Sequence, residues 1–266
     1  DGEVSAALRS ALESMGVSVH TSCRVAGVVE KGDGGVTVRV SRASGRELIS
    51  AQKVLVAVGR APAGDSLGIE ALGVAVDGGK VAIDDALETA VPGIFAAGDV
   101  TGKHLLAHAA FEQGIVAAEN VALRLRGARP SMTCRRTVPR CIFTHPEVAA
   151  VGLTQEEAER RYGRVPVGRV PFTGVAKGLV VGETSGFVKV VLDPAGQSIL
   201  GVWIVGPAAT ELIAAAVLAL DLECSGDELG AVVMAHPTLS EAIKEACLAA
   251  LGKPLHAPVS HFSHCG

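Results

Sequence analysis

A histidine and a carboxylate stand five residues apart in the stretch MAHPTLSEAIKEA, residues 234–246, where His236 precedes Pro237 and Thr238 and Glu241 follows. An imidazole is a suitable proton acceptor near neutral pH. A carboxylate on its other ring nitrogen fixes the tautomer and stabilises the imidazolium once the proton has moved. The same residues have a plainer reading. Pro237 biases His236 toward an extended conformation. Thr238 is a good helix N-cap, so Glu241 falls at the third helical position and closes a capping box on the Thr238 N–H. His236 is then an ordinary loop histidine. A second pair, Gly98–Asp99, ends the segment TAVPGIFAAGDV. Gly98 permits close backbone approach, and Asp99 either accepts a hydrogen bond from a sugar-like hydroxyl or caps the next helix. Gly59 and Arg60 end the apolar run KVLVAVGRAP, where a tight turn and a surface arginine are the simplest account.

The elements that must carry these residues follow from periodicity. Val4, Ala7, Leu8, Ala11, Leu12 and Met15 share one helical face, and Gly16 ends that helix. VSVH then predicts a short strand. RVAGVVE and GVTVRV predict a hairpin turning at residues 31–35. The unbroken apolar run KVLVAVGRAP predicts a strand buried on both faces, as in a parallel sheet. A second unit begins near Val81, with a turn at Pro92–Gly93, a buried strand from Ile94 to Ala97, and a helix from about Leu105 to Arg126 stopped by Gly127. In open α/β sheets ligands bind beyond the carboxyl ends of strands, which is where Gly98–Asp99 would lie. From about Arg135 the pattern becomes α+β. RCIF, EVAAVG, RVPVGRV, GFVKVVLD and ILGVWIVG read as strands, with a hairpin turn at Asp193–Gly196. Helices follow from Thr154 and at about 208–220, 226–232 and 239–251, with capping boxes at Thr154/Glu157, Ser225/Glu228 and Thr238/Glu241.

Composition narrows the function. Of the 266 residues 48% are hydrophobic, enough for sizeable cores and two domains, while 3% aromatics and a net charge of −4 argue against a nucleic-acid platform. The longest apolar run, Leu212 to Leu220, falls far short of a bilayer span, and DGEVSAALRS has no signal-peptide pattern. The first residue is Asp1 rather than Met, so the chain is expected to be processed or part of something longer. Cys23, Cys134, Cys141, Cys224, Cys247 and Cys265 match no zinc spacing and form no C-x-x-C pair. They read as reduced thiols of a cytoplasmic protein. The tail HAPVSHFSHCG carries His256, His261, His264 and Cys265, whose spacings fit no standard metal site, so no metal is expected.

Several segments together resemble one family. TAVPGIFAAGDVTGKHLLAHAAFEQG is similar to the second flavin-contacting segment of the pyridine nucleotide–disulfide oxidoreductases. FTHPEVAAVGLTQEEA resembles the opening of their dimer-interface domain, and GFVKVVLDPAGQSILGVWIVGPAATELIAAAVLAL and AHPTLSEAIKEA its later part. The wording HPEVAAVG favours the dihydrolipoamide dehydrogenase branch. The resemblance covers nearly the whole chain, in order.

It implies an α/β part made of partial dinucleotide-binding domains, followed by an α+β dimer-interface domain. Residues 1–80 correspond to the later half of an NAD-binding domain, 81–134 to the central FAD segment and 135–266 to the interface domain. The implied cofactors are FAD and NAD. Gly98 and Asp99 would meet the flavin ribityl chain. Leu106, Ala107 and His108 would open a helix whose N-terminal dipole favours anionic reduced flavin. Gly59 and Arg60 would lie near the nicotinamide path. His236 would be the base and Glu241 its orienting partner, serving the redox disulfide of a partner subunit, since the thiolate and not the thiol is the nucleophile. Implied partners are a second copy in a homodimer, a dihydrolipoamide-type dithiol and a 2-oxoacid dehydrogenase complex, with no nucleic acid and no membrane.

The family's two G-x-G-x-x-G motifs and its C-x4-C disulfide do not occur in this sequence. The chain is thus expected to be a C-terminal part that completes no catalysis alone. Competing readings are a non-catalytic dimerisation or interaction module, a glutathione reductase-like enzyme, which shares His-Pro-Thr, and a mercuric reductase-like enzyme. The last is disfavoured by the single Cys265 and by the His-Pro-Thr segment itself.

Overall fold

The computed structural model describes residues 1–30, 34–133 and 137–256. Cys134, His261, His264 and Cys265 lie outside the described residues, as does most of the expected 31–35 turn. The chain divides into two compact units. One comprises residues 1–21 with those from 137 onward, the other residues 22–136.

Helix α1 (Gly2–Ser14) opens the first unit. Asp1 caps it, its carboxylate accepting from the N–H groups of Glu3 at 3.1 Å and Val4 at 3.3 Å. The expected strand VSVH at 17–20 does not form.

The second unit begins with an antiparallel meander of β1 (Arg24–Glu30), β2 (Val36–Arg42) and β3 (Gly45–Ala51), in that order. The β1–β2 hairpin agrees with the sequence reading, whereas β3 was not expected. Its sequence GRELISA is polar enough to read as loop, and pairing with β2 from Val36↔Ala51 to Arg42↔Gly45 makes it a strand. The run at 54–58 forms no strand, and Leu55 and Val58 are 88% and 91% exposed. A strand exists through hydrogen bonds to a neighbour, and among the described residues no segment pairs with this one. Among the described residues Ile94–Ala97 likewise forms no regular strand but the isolated bridge Glu88↔Phe95. The tiny hairpin β4 (Val76–Asp77) and β5 (Lys80–Val81) follows. Then comes α2 (Ala107–Leu125), close to the expected span. Buried Asn120 ties these loops together. Its amide donates to the carbonyls of Ala86 and Met132, both at 2.8 Å, and accepts from the N–H groups of Ser131 and Met132.

The first unit resumes with a five-stranded antiparallel sheet. Its strands are β6 (Arg140–Ile142), β7 (Glu147–Gly152), β8 (Val167–Pro171), β9 (Phe187–Leu192) and β10 (Ile199–Gly206), in the order β6-β7-β10-β9-β8. Helices α3 (Gln155–Tyr162), α4 (Ala176–Val181), α5 (Ala209–Asp221), α6 (Gly226–Ala231) and α7 (Glu241–Ala250) complete it. The β9–β10 turn forms as the sequence implies, with the Asp193 carboxylate accepting from the N–H groups of Gln197 and Ser198. The capping boxes at Thr154 and Ser225 are both present.

Ala149, Val188, Val190, Val202 and Ile204 of the sheet meet Ile213 and Ala216 of α5 and Ile243 and Ala246 of α7 in the main core. Burial at about 25 cal/mol per Å² of apolar surface stabilises this layer. Val4 of α1 packs with Phe187, Trp203 and Val205 in a separate smaller cluster.

Helix α7 lies very close to β8, and Gly168 makes the approach possible. A Cβ there would fall 1.8 Å from the Ala246 carbonyl oxygen and 2.4 Å from the Ala250 nitrogen, both backbone atoms. Gly168→Ala is therefore expected to push α7 outward and cost about 1–3 kcal/mol, the usual range for overpacking, as read from the midpoint of urea unfolding.

On the same helix Cys247 is fully buried and its thiol donates to the Gly226 carbonyl at 3.1 Å. Burial, with the charge of Asp227 adding to it, pushes this thiol up to about 12. Burial and the carboxylates of Glu147 and Glu211 also raise Cys141. Iodoacetamide at pH 8 is expected to label Cys247 only after denaturation, a difference that peptide mass spectrometry reads directly.

Candidate active site

Helix α7 turns Ala242, Ile243, Ala246, Cys247 and Ala250 into the core. That leaves Glu241, Lys244 and Glu245 to line a cleft of about 370 Å³, bounded also by Val175, Leu179, Met234, His236, Leu255 and His256. The His236 ring is two-thirds exposed, and its Nδ1 lies 3.0 Å and 3.2 Å from the two oxygens of Glu241. The same carboxylate accepts the Thr238 N–H at 2.8 Å. One carboxylate thus bonds both the imidazole and the loop backbone. The capping box expected at Thr238 is half formed. Helix α7 begins at Glu241 with Ser240 as its N-cap, and the Thr238 hydroxyl donates to the Ala235 carbonyl instead. Both His–Pro bonds, at His145–Pro146 and His236–Pro237, are cis.

Burial pushes the Glu241 carboxyl up. The Thr238 N–H, the His236 ring and the charge of His256 together outweigh it, holding the group below the ordinary carboxylate range. A depressed folded value means that the stabilisation is complete above the unfolded value and is lost as pH falls through the folded one. Unfolding midpoints measured below the ordinary glutamate value of about 4.3 are expected to fall with pH, less steeply in Glu241→Gln.

The structure also shows what sequence reasoning missed. Glu245 is buried, one turn beyond Glu241, and accepts the backbone N–H of His256 at 2.5 Å, closing the far wall of the cleft. The spacing of four along one helix was the available signal.

In the second unit, Gly98 has φ +81 and sits immediately before a short 3-10 turn at Asp99–Thr101. Its N–H donates to the buried side chain of Gln113 at 2.6 Å, a long-range bond that no local pattern announces. A Cβ at Gly98 would meet that of Ala110 at 3.3 Å, so glycine keeps this turn against α2. Among the described residues the Asp99 carboxylate accepts no hydrogen bond. Leu106 is the N-cap of α2 and provides no side-chain bond to its first turn. A carboxylate beside a glycine and the positive N-terminal end of a 19-residue helix suit a polyhydroxylated, electron-rich ligand. Gly59 (φ +125) and Arg60 lie on the exposed segment after β3.

The profile of the pyridine nucleotide-disulphide oxidoreductases matches residues 1–114, and that of their dimerisation domain matches residues 138–247. The chain belongs to this family. Its relatives include a dihydrolipoyl dehydrogenase of Thermus scotoductus, 42% identical over 96% of this chain and 55% of that protein. One from Rhizobium etli is 40% identical over 97% of this chain and 53% of its own length. LpdA of Mycobacterium tuberculosis superposes with a TM-score of 0.80 at 29% identity, over 93% of this chain and 52% of that one. The flavoprotein disulfide reductase RclA of Escherichia coli shares the fold, with a TM-score of 0.80 at 24% identity, over 92% of this chain and 55% of its own. The mixed α/β fold class expected from the sequence is that of this family. The chain spans about half the length of the curated relatives it matches. No helix among the described residues is long and apolar enough to cross a membrane.

Proposed function

We propose that this chain is the C-terminal part of a flavin-dependent disulfide oxidoreductase of the dihydrolipoyl dehydrogenase type, with His236 as its base. The observation carrying the proposal is the His236–Glu241 contact at 3.0 Å at the mouth of an open cleft. With Nδ1 facing the carboxylate, Nε2 is the nitrogen available to take a proton from a thiol. The thiolate so formed attacks a disulfide sulfur, and the imidazolium, stabilised by Glu241, later returns the proton to a departing thiolate. The cysteine pair that accepts the dithiol's electrons belongs to a C-x4-C segment that this sequence does not contain. It would lie in the rest of the protein and reach His236 from a second copy across a homodimer contact. Exposed Phe143, Leu218, Leu222 and Val233 support such a contact. The apolar walls of the cleft suit a dihydrolipoamide-type dithiol, and a 2-oxoacid dehydrogenase complex is the corresponding larger partner.

Bound FAD would supply the two-electron relay between dithiol chemistry and NAD. On this side Asp99 would hold the ribityl hydroxyls, Gly98 would give them room, and Leu106, Ala107 and His108 would present backbone N–H groups. Gly59 and Arg60 would border the nicotinamide path. The corresponding division is 1–80 for the later NAD-binding half, 81–134 for the central FAD segment and 135–266 for the interface domain, in a cytoplasmic protein.

The test is complementation. The part of the Thermus scotoductus relative that precedes the matched region is purified with FAD and mixed with this chain. NAD-dependent oxidation of dihydrolipoamide is expected only in the mixture. A mixture that stays inactive although the two parts associate and retain flavin would overturn the proposal.

A further inference from the structure

Lys244 lies between Glu241 and Glu245 on α7, and its side chain is half-buried beside the cleft. Its ammonium is spent on neither carboxylate. Instead Nζ donates to the Val232 carbonyl at 2.7 Å, twelve residues back in the chain. Val232 is the C-cap of α6 and the first residue of the irregular segment that leads to His236. The following residue, Val233, is almost fully exposed, so the apolar core does not hold this segment. It is held at its far end by Glu241, through the His236 ring and the Thr238 N–H. Lys244 holds the near end. Both tethers leave the same helix within one turn, and Gly168 seats that helix against the sheet.

We propose that Lys244 is a positioning residue for His236. By fixing the Val232 carbonyl it sets the path of residues 232–235 and keeps the imidazole with Nδ1 on Glu241. Without that tether the segment is free to lift, and the ring exchanges its carboxylate partner for water. Which ring nitrogen carries the proton is set by the hydrogen bond the ring makes. The inference rests on the reading of His236 as an oriented base, but it is tested with no substrate present.

The experiment is two-bond ¹H–¹⁵N correlation spectroscopy of the histidine rings in the 266-residue chain, at a pH where an ordinary imidazole is neutral. The unaltered chain is expected to show His236 with its proton on Nδ1, and Glu241→Ala to lose that signature. Lys244→Met is expected to move His236 toward the Nε2–H form that a solvent-exposed imidazole favours. Lys244→Arg, which retains a long donor, is expected to restore the Nδ1–H form. Glu245→Gln, which acts on the opposite wall, is expected to leave it unchanged. An Nδ1–H signature preserved in Lys244→Met overturns the proposal, as does an equal shift in Glu245→Gln. Should Lys244→Met fail to fold, Lys244→Gln, whose donor is too short to reach Val232, decides by the same spectra. Loss of the tautomer effect with complementation intact sinks this inference alone. Failed complementation with the tautomer effect intact sinks the proposed activity alone.

Discussion

Asp1→Ala is expected to destabilise the sheet-bearing unit by about 3–5 kcal/mol, the cost of leaving one member of a buried ion pair behind. Lys189 sits in β9, every residue of which is buried, and its side chain is 1% exposed. The Asp1 side chain is fully buried, 3.0 Å from the ammonium. Glu3 also reaches Lys189, at 2.9 Å, but more than half of its side chain is in water, so it cannot replace the buried charge. The loss compounds, because the same Asp1 carboxylate caps α1, a role worth about 1 kcal/mol by itself. The double variant Asp1→Asn, Lys189→Met is expected to recover much of the loss, since it leaves no buried charge unpaired and the introduced amide oxygen can still cap α1. Urea unfolding followed by circular dichroism gives the comparison. A single variant within 1 kcal/mol of the starting chain, on the scale of a surface pair, would show that the pair does not secure α1 on the sheet.

In the complemented enzyme, His236→Ala is expected to lower dithiol oxidation by about 10²–10⁴-fold, the usual contribution of one positioned general base. The physical basis is the protonation state of sulfur. A thiol near its ordinary value of about 8.5 is mostly protonated at neutral pH, so an attack that needs the thiolate slows when nothing accepts the proton. Raising the pH generates thiolate without help, so the deficit should shrink toward alkaline pH. Glu241→Ala keeps the base but releases its orientation, and its deficit should be smaller. Steady-state rates of NADH formation across pH check all three expectations. A His236→Ala mixture as active as the starting one at pH 7 would place the base elsewhere.

Much of this protein is settled by local sequence. The capping boxes at Thr154 and Ser225, the Asp193 turn and the 3.6-residue periodicity of α2, α5 and α7 each involve residues within a few positions of one another. Their energetics therefore survive any tertiary context. The His236–Glu241 pair was legible for the same reason, five residues being within one turn and a short loop. Long-range partners decided the rest. Strand β3 is a strand because β2 lies beside it, and residues 54–58, more apolar by far, are none because no described segment does. The roles of Lys189, Gln113 and Lys244 arise from bonds to residues 188, 15 and 12 positions away. Nothing in the flanking sequence distinguishes those three side chains from solvated ones. Burial and a partner's position set what a polar group does, and only folding supplies both.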